Sequence, residues 1–223
     1  MPILRSLHQD FFKKWSNDMA YVLGFFAADG SMLENNRGAH YIEFHITDKK
    51  ILEQMREAMG SNHKIKERKR DEKWKPIYRL QIGSKVFYED LQKHGFTQAK
   101  SHTLKLPLVP KKYIADFVRG YFDGDGCVHF KQYKVRGRKK PKWVFQTRFT
   151  SGSKNFLQDL HNLLKDYGVA RGFITKKNRG HELVFSHRDG VALYRLMYNN
   201  TPRIYLKRKY NIFRKAMKTL YGE

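Results

Sequence analysis

One nine-residue pattern occurs twice in this chain and constrains its fold more than any other feature. Residues 22–30 read VLGFFAADG and residues 118–126 read VRGYFDGDG, 96 positions later, so both follow V-x-G-aromatic-F-x-x-D-G. A second correspondence supports the first. Residues 48–59 carry apolar groups at Ile51, Leu52, Met55, Ala58 and Met59, and residues 153–164 carry them at Phe156, Leu157, Leu160, Leu163 and Leu164. This is one amphipathic helical stripe written twice. Its offset is 105, so nine extra residues enter the second copy around the basic run 131–142. A chain that repeats itself must be read as two copies of one unit.

Between the helices the period drops to two. Residues 40–47 place Ile42, Phe44 and Ile46 on one face, and residues 77–82 place Tyr78, Leu80 and Ile82 on one face. In the second copy Val128 and Phe130 alternate with His129, Lys131 and Tyr133, and Trp143, Phe145 and Phe149 oppose Gln146 and Arg148. Such alternation marks strands with one buried and one wet face. Further strands are expected near 63–69, 77–83, 171–176 and 181–186, and helices near 85–94, 190–198 and 201–219. Each copy then reads helix–strand–strand–helix–strand–strand–helix. The predicted class is α+β, with two pseudo-symmetric αββαββα halves. The proline-bearing stretch 106–112 places the halves at 1–107 and 108–223.

The repeated segment contains its own chemical problem. Residues 19–28 hold no charged group, so that helix is buried on most sides. Gly24 and Ala28, like Gly120 and Gly124, are four apart and permit close approach of two helix backbones. Gly30 and Gly126 suit a left-handed helix stop. Asp29 and Asp125 then face the negative end of a helix dipole, disfavoured by up to about 1 kcal/mol each. If the two helices pack about a pseudo-twofold axis, the carboxylates also approach each other. A divalent cation resolves that cost, and oxygen-only ligands suit Mg²⁺, with Mn²⁺ or Ca²⁺ able to take the same place.

These segments resemble the LAGLIDADG motif of homing endonucleases, GYFDGDG being a close form of it, in the single-chain arrangement with two motifs. The resemblance covers about residues 17–218. It implies a saddle in which the motif helices pack together and antiparallel sheets straddle DNA in the major groove. It implies cleavage of both strands of a long, nearly asymmetric site with short 3′ overhangs. The last acid of each motif, Asp29 and Asp125, would be a metal ligand, helped by the backbone carbonyls of Ala28 and Gly124. The first motif has Ala27 where the second has Asp123, a position that varies in the family and is not the ligand. A basic residue near each metal is also implied: Lys100 in QAKSHTL and Lys209 in YLKRKYNIF, with Arg208 as competitor for the latter.

Charge agrees with a polyanionic partner. The net charge is +24, from 45 basic against 21 acidic residues. Residues 1–110 hold 19 basic and 13 acidic residues, leaving 26 and 8 in the rest, so the second half carries most of the field. Wet-face residues suited to base edges are Arg37, Glu43, His45, Arg79 and Gln81 in the first half. In the second they are His129, Lys131, Tyr133, Arg136, Arg138, Gln146, Arg148 and Lys176. The single cysteine, Cys127, excludes an intramolecular disulfide and a cysteine-based zinc cluster. With no secretion signal and no apolar run of membrane-spanning length, a soluble, intracellular protein is expected, and the single-chain resemblance with two motifs implies a monomer. The alternative from another class is an intron maturase binding intron RNA to assist splicing. The basic excess serves either polymer, whereas intact acids in both motifs favour the nuclease. No flanking splicing domain is apparent, which speaks against embedding in an intein.

Overall fold

The computed structural model describes residues 5–68, 73–137, 139–199 and 202–222. The first half runs α1 (Asn17–Asp29), β1 (Gly30–Glu34), β2 (His40–Ile46), α2 (Lys49–Ala58), β3 (Ile65–Arg68), β4 (Ile77–Gly83) and α3 (Lys85–Lys93). The second runs α4 (Ile114–Asp125), β5 (Gly126–Tyr133), β6 (Lys142–Ser151), α5 (Lys154–Lys165), β7 (Phe173–Lys177), β8 (Gly180–Ser186) and α6 (Arg188–Tyr198), followed by α7 (Lys207–Tyr221). This is the α+β saddle of two αββαββα units expected from the repeat.

Each half forms one four-stranded antiparallel sheet, ordered β1-β2-β4-β3 and β5-β6-β8-β7. The registers are matched: Phe44 stands opposite Gly30 and Leu80, as Phe149 stands opposite Gly126 and Leu183. Every second residue of the central strands faces the helices and is buried, including Ile42, Phe44, Leu80 and Ile82 in one sheet and Phe145, Phe149, Leu183 and Phe185 in the other. A one-residue slip would turn these apolar rows to water, so pattern alone fixes the register. Three helix starts are set by serines. Ser16, Ser84 and Ser153 accept bonds from the backbone N–H of Met19, Phe87 and Phe156.

The halves meet through α1 and α4. A Cβ placed on Gly24 would overlap the carbonyl oxygen of Phe117, and one on Gly120 would overlap that of Tyr21. These two contacts are the same contact seen from either side of the pseudo-twofold axis. Gly124 likewise packs on the methyl of Ala28. The helices touch backbone to backbone where the two pairs of small residues predicted it.

The helix stops differ from expectation. Gly30 and Gly126 are extended, with φ of −85° and −90°, rather than left-handed. The chain passes directly from helix to strand, and a side chain at either glycine would collide with the ring of Phe26 or Phe122. Glycine is required there by an aromatic ring lying on the backbone, not by a positive φ.

A polar lattice ties the far end of this helix pair. Arg119 donates to Asp116 at 2.6 Å, to the Met197 carbonyl at 3.0 Å and to the Ile204 carbonyl at 3.0 Å, and Asn17 donates to Asp116 at 2.8 Å. All of Arg119 and Asp116 is buried and multiply bonded, which offsets the cost of desolvating the pair. No helix among the described residues is long and apolar enough to cross a membrane.

Gly24→Ala and Gly120→Ala each insert a methyl against a backbone oxygen that cannot rotate away. Each should destabilise the protein by about 1–3 kcal/mol, read as a lower urea midpoint at unchanged slope. An unchanged midpoint would mean that the helices do not pack this closely.

Candidate active site and nucleic-acid interface

Because α1 and α4 pack along their lengths, their last residues come together. Asp29 and Asp125 end the two helices and lie partly buried. The Asp29 carboxylate sits beside Gly124, 3.5 Å from where a Cβ would be, and the missing side chain there makes room for the Ala28 methyl next to it. Burial, followed by the charge of Asp125, pushes the Asp29 carboxyl up to about 6. Burial also raises Asp125, opposed by Lys100 and then Lys209. The sequence argument expects two acids near each other at these helix ends, and the charge of Asp125 is felt at Asp29.

Two buried lysines attend the pair. Lys100 lies in a single 3-10 turn, Lys100–His102, after Ala99 in left-handed conformation (φ 53°). Its Nζ donates to the Gly30 carbonyl at 2.6 Å. Lys209, in the first turn of α7, donates to the carbonyls of Phe122 at 2.6 Å, Asp123 at 2.9 Å and Gly124 at 3.4 Å. Burial pulls both ammonium groups down to about 8, while the aspartates oppose that fall. Both therefore remain largely cationic at neutral pH. Arg208 is exposed, so the competition anticipated between neighbours falls to Lys209.

Each lysine bonds a carbonyl of its own half, while residues near it in sequence touch the other half. The carbonyl of Ser101 abuts Gly152 at the end of β6, where a Cβ would overlap it. Conversely, Arg203 pairs with Asp18 at 2.7 Å, and its carbonyl accepts from Gln54 of α2 at 3.4 Å. The segment leading to Lys209 is also pinned by Asp123. This buried carboxylate accepts from Tyr21 Oη at 2.8 Å and from the Leu206 N–H at 2.7 Å, and Leu206 caps α7. Asp123 is thus a contact to the segment that leads into α7.

An all-oxygen donor set fits a hard divalent cation: two carboxylates, with backbone carbonyls beside them. Among the described residues no three His, Cys, Asp or Glu side chains stand together as a metal cluster. The Gly124 carbonyl already receives Lys209, whereas Ala28 adjoins Asp29 at the helix end.

The open faces of the two sheets carry most of the predicted base readers. Glu43, His45, Arg79 and Gln81 cluster on β2 and β4, while His129, Lys131, Tyr133, Gln146 and Arg148 lie on β5 and β6. Tyr133 Oη is 2.9 Å from His129 Nε2. Arg37 and Arg136 are exposed in the turns between first and second strands of each sheet, and Arg138 lies outside the described residues. Two expectations change. Glu43 is only 4% exposed and accepts from Gln81 at 2.6 Å and Arg79 at 3.4 Å, so it orients donors instead of meeting a base. Lys176 shares strand parity with Ile174, opposite His181, on the side turned to the helices. The lysine on the open face is Lys177, whose Nζ is 3.2 Å from Glu182. Sequence reading missed both Lys177 and Glu182, because a one-residue uncertainty in a strand end inverts the face.

Comparison with known proteins agrees with this geometry. A family model described as a LAGLIDADG-like domain matches residues 16–94 and again 112–199. Among solved structures, the LAGLIDADG meganuclease I-AabMI bound to uncleaved DNA superposes with a TM-score of 0.65 at 12% identity, covering 93% of this chain and 92% of that one. The I-LtrWI LAGLIDADG homing endonuclease bound to target DNA gives 0.64 at 12% identity, covering 97% and 92%. Meganuclease I-SmaMI bound to uncleavable DNA gives 0.59 at 15% identity, covering 89% and 88%. Two similarities are to parts of longer proteins. The probable translation initiation factor IF-2 of Thermococcus kodakarensis is 32% identical over 43% of this chain, which spans 8% of that protein. The ribonucleoside-diphosphate reductase NrdEB subunit alpha of Bacillus subtilis is 26% identical over 79% of this chain, which spans 17% of that protein.

The raised Asp29 pKa has a definite sign for stability. Between an unfolded value near 4 and a folded value near 6, the folded state holds a proton that the unfolded state lacks, so this contribution falls as pH rises. In chelator, Asp29→Asn should exceed the wild type in stability at pH 7.5 by up to about 2 kcal/mol. The difference should shrink as pH falls through 6 and vanish near 4. Denaturant titrations across pH 4–8 check this, and a gap that widens toward acid would contradict it.

Proposed function

Because the chain belongs to the LAGLIDADG-like domain family, we propose that it is a site-specific endonuclease. It hydrolyses both strands of a long, asymmetric double-stranded DNA target and leaves short 3′ overhangs. The observation that carries this reading is the convergence of Asp29, Asp125, Lys100 and Lys209 at the meeting point of the two motif helices, flanked by two basic sheets. The two halves, 1–107 and 108–223, each supply one sheet and one motif acid, so one chain suffices and the active form is a monomer. The net charge of +24 draws the duplex in and makes binding fall steeply with salt.

Asp29 and Asp125, with the carbonyls of Ala28 and Gly124, would hold the divalent cation, Mg²⁺ foremost. When bound, the cation neutralises phosphate charge and makes water a better nucleophile. Lys100 bonds the Gly30 carbonyl and Lys209 the carbonyls of Phe122, Asp123 and Gly124, which steadies the backbone on which Asp29 and Asp125 stand. Their positive charge also stabilises negative charge gathering on the phosphate as the water oxygen bonds to phosphorus and the bond to O3′ breaks. Burial serves both functions: it removes competing water and strengthens each interaction.

RNA as the partner gains no support from the similar structures, whose descriptions name DNA. The translation-factor and reductase activities belong to proteins of which this chain matches only 8% and 17%.

Incubation of the purified protein with Mg²⁺ and a randomised duplex library tests the proposal. The wild type should enrich one cleaved sequence with 3′ overhangs. Asp29→Asn and Asp125→Asn should cut at least about 10²–10³-fold more slowly while still binding that sequence. A folded wild type that cuts nothing, or undiminished cutting by either variant, would overturn the assignment. Lys100→Met and Lys209→Met should each slow cleavage without loss of target affinity.

A further inference from the structure

The two sheets carry the same ion pair with its polarity reversed. The registers make Phe44 the counterpart of Phe149, and Leu80 that of Leu183. One residue before each, Glu43 corresponds to Arg148 and Arg79 to Glu182. In the first sheet the acid is on central strand β2 and the arginine on β4. In the second the arginine is on central strand β6 and the acid on β8. Residue identities alone conceal this, because the match appears only when both registers are known.

In each sheet the acid is the more covered member. Glu43 receives Gln81 Nε2 at 2.6 Å and Arg79 at 3.4 Å, with His45 Nε2 at 3.5 Å. Arg79 remains 37% exposed. In the second sheet Glu182 lies 3.2 Å from Lys177 and 4.0 Å from Arg148, with side-chain exposures of 18% and 33% for Glu182 and Arg148. Arg148 also donates to Gln146 Oε1 at 2.8 Å. Glu43 thus partly neutralises Arg79, and the terminal nitrogens of Arg148 face Gln146 and Glu182 while its Nε is buried without a partner, so each guanidinium is held in place yet remains about one-third exposed.

On a protein with 45 basic residues, such a pair is poorly suited to gripping phosphate. The acid repels the backbone and cancels the attraction. An oriented guanidinium is suited instead to the paired acceptors O6 and N7 of guanine in the major groove.

Resting on the nuclease reading, we propose that Arg79 and Arg148 are specificity-determining residues that each select one guanine, in opposite half-sites. Because the arginine sits on β4 in one sheet and on β6 in the other, the selected guanines are not related by the pseudo-twofold axis. Adjacent strands are about 4.8 Å apart, enough to move the contact by more than one base step. The asymmetry of the target is then built into the protein at this pair.

The test begins with the sequence that the wild type enriches from a random duplex library, followed by affinity measurements on every single-base-pair variant of it. Arg79→Ala and Arg148→Ala should each abolish discrimination at one guanine, by about tenfold to a hundredfold, and leave other positions unchanged. The two positions should lie in different half-sites at unequal distances from the cleavage centre. Arg79→Lys keeps the charge and the ion pair with Glu43 but loses the fork, so it should behave like Arg79→Ala at that base pair. Uniform weakening across all variants, with a salt slope reduced by about one, would make these phosphate contacts and overturn the inference alone. Equal distances from the centre would also overturn it. A wild type that enriches no sequence would instead bring down the nuclease reading together with this one.

Discussion

The contact of α1 with α4 through Gly24 and Gly120 is the constraint on which the rest depends. Backbone-to-backbone packing is possible only because neither position has a side chain, and the two contacts repeat each other across the pseudo-twofold axis. Close packing along the helices makes their ends meet, and the ends carry Asp29 and Asp125. The site is therefore a consequence of the dimer-like interface inside one chain. Its cost is visible in the upward shift of Asp29, caused by burial and by its counterpart. Two acids at the negative ends of two helix dipoles oppose this meeting. The small-residue contacts, the buried Arg119–Asp116 lattice and the tyrosine–Asp123 bond hold them there.

Placement of the lysines follows from the same interface. Lys100 and Lys209 bond the carbonyls at the ends of their own motif helices, and neighbouring residues tie their segments across the seam, Ser101 beside Gly152 and Arg203 against Asp18 and α2. This interlocking explains why the cations are buried yet cationic. They are satisfied by helix-end carbonyls and by two acids that would otherwise repel. The field of the remaining basic residues lies outside this centre, on the sheet faces and turns where a duplex would pass.

Much of this was legible in the residues because the repeat supplied two independent readings of each feature. Glycine and alanine four apart foretold the helix contact. The double Asp-Gly foretold the acid pair, and the period-two rows foretold four strands per half. What escaped was three-dimensional. Gly30 and Gly126 looked like left-handed stops, whereas the ring two residues into the motif's aromatic pair lies on them. Glu43 read as a base contact because alternation shows only which face a residue takes, not that Gln81 and Arg79 from the next strand would cover it. Lys176 was placed on the wrong face because its strand end was misjudged by one. The polarity-reversed pair, Glu43–Arg79 against Glu182–Arg148, needed both strand registers and could not be found from spacing.

The account's central claim is that packing of the motif helices creates an acid pair that a divalent cation relieves. Thermal unfolding at pH 8 in increasing Mg²⁺, for the wild type and for the Asp29→Asn, Asp125→Asn double variant, measures this directly. The midpoint of the wild type should rise with Mg²⁺ as binding to the folded state requires, and that of the double variant should start higher in chelator and stay flat. An equal rise in both proteins would place the cation elsewhere and contradict the account.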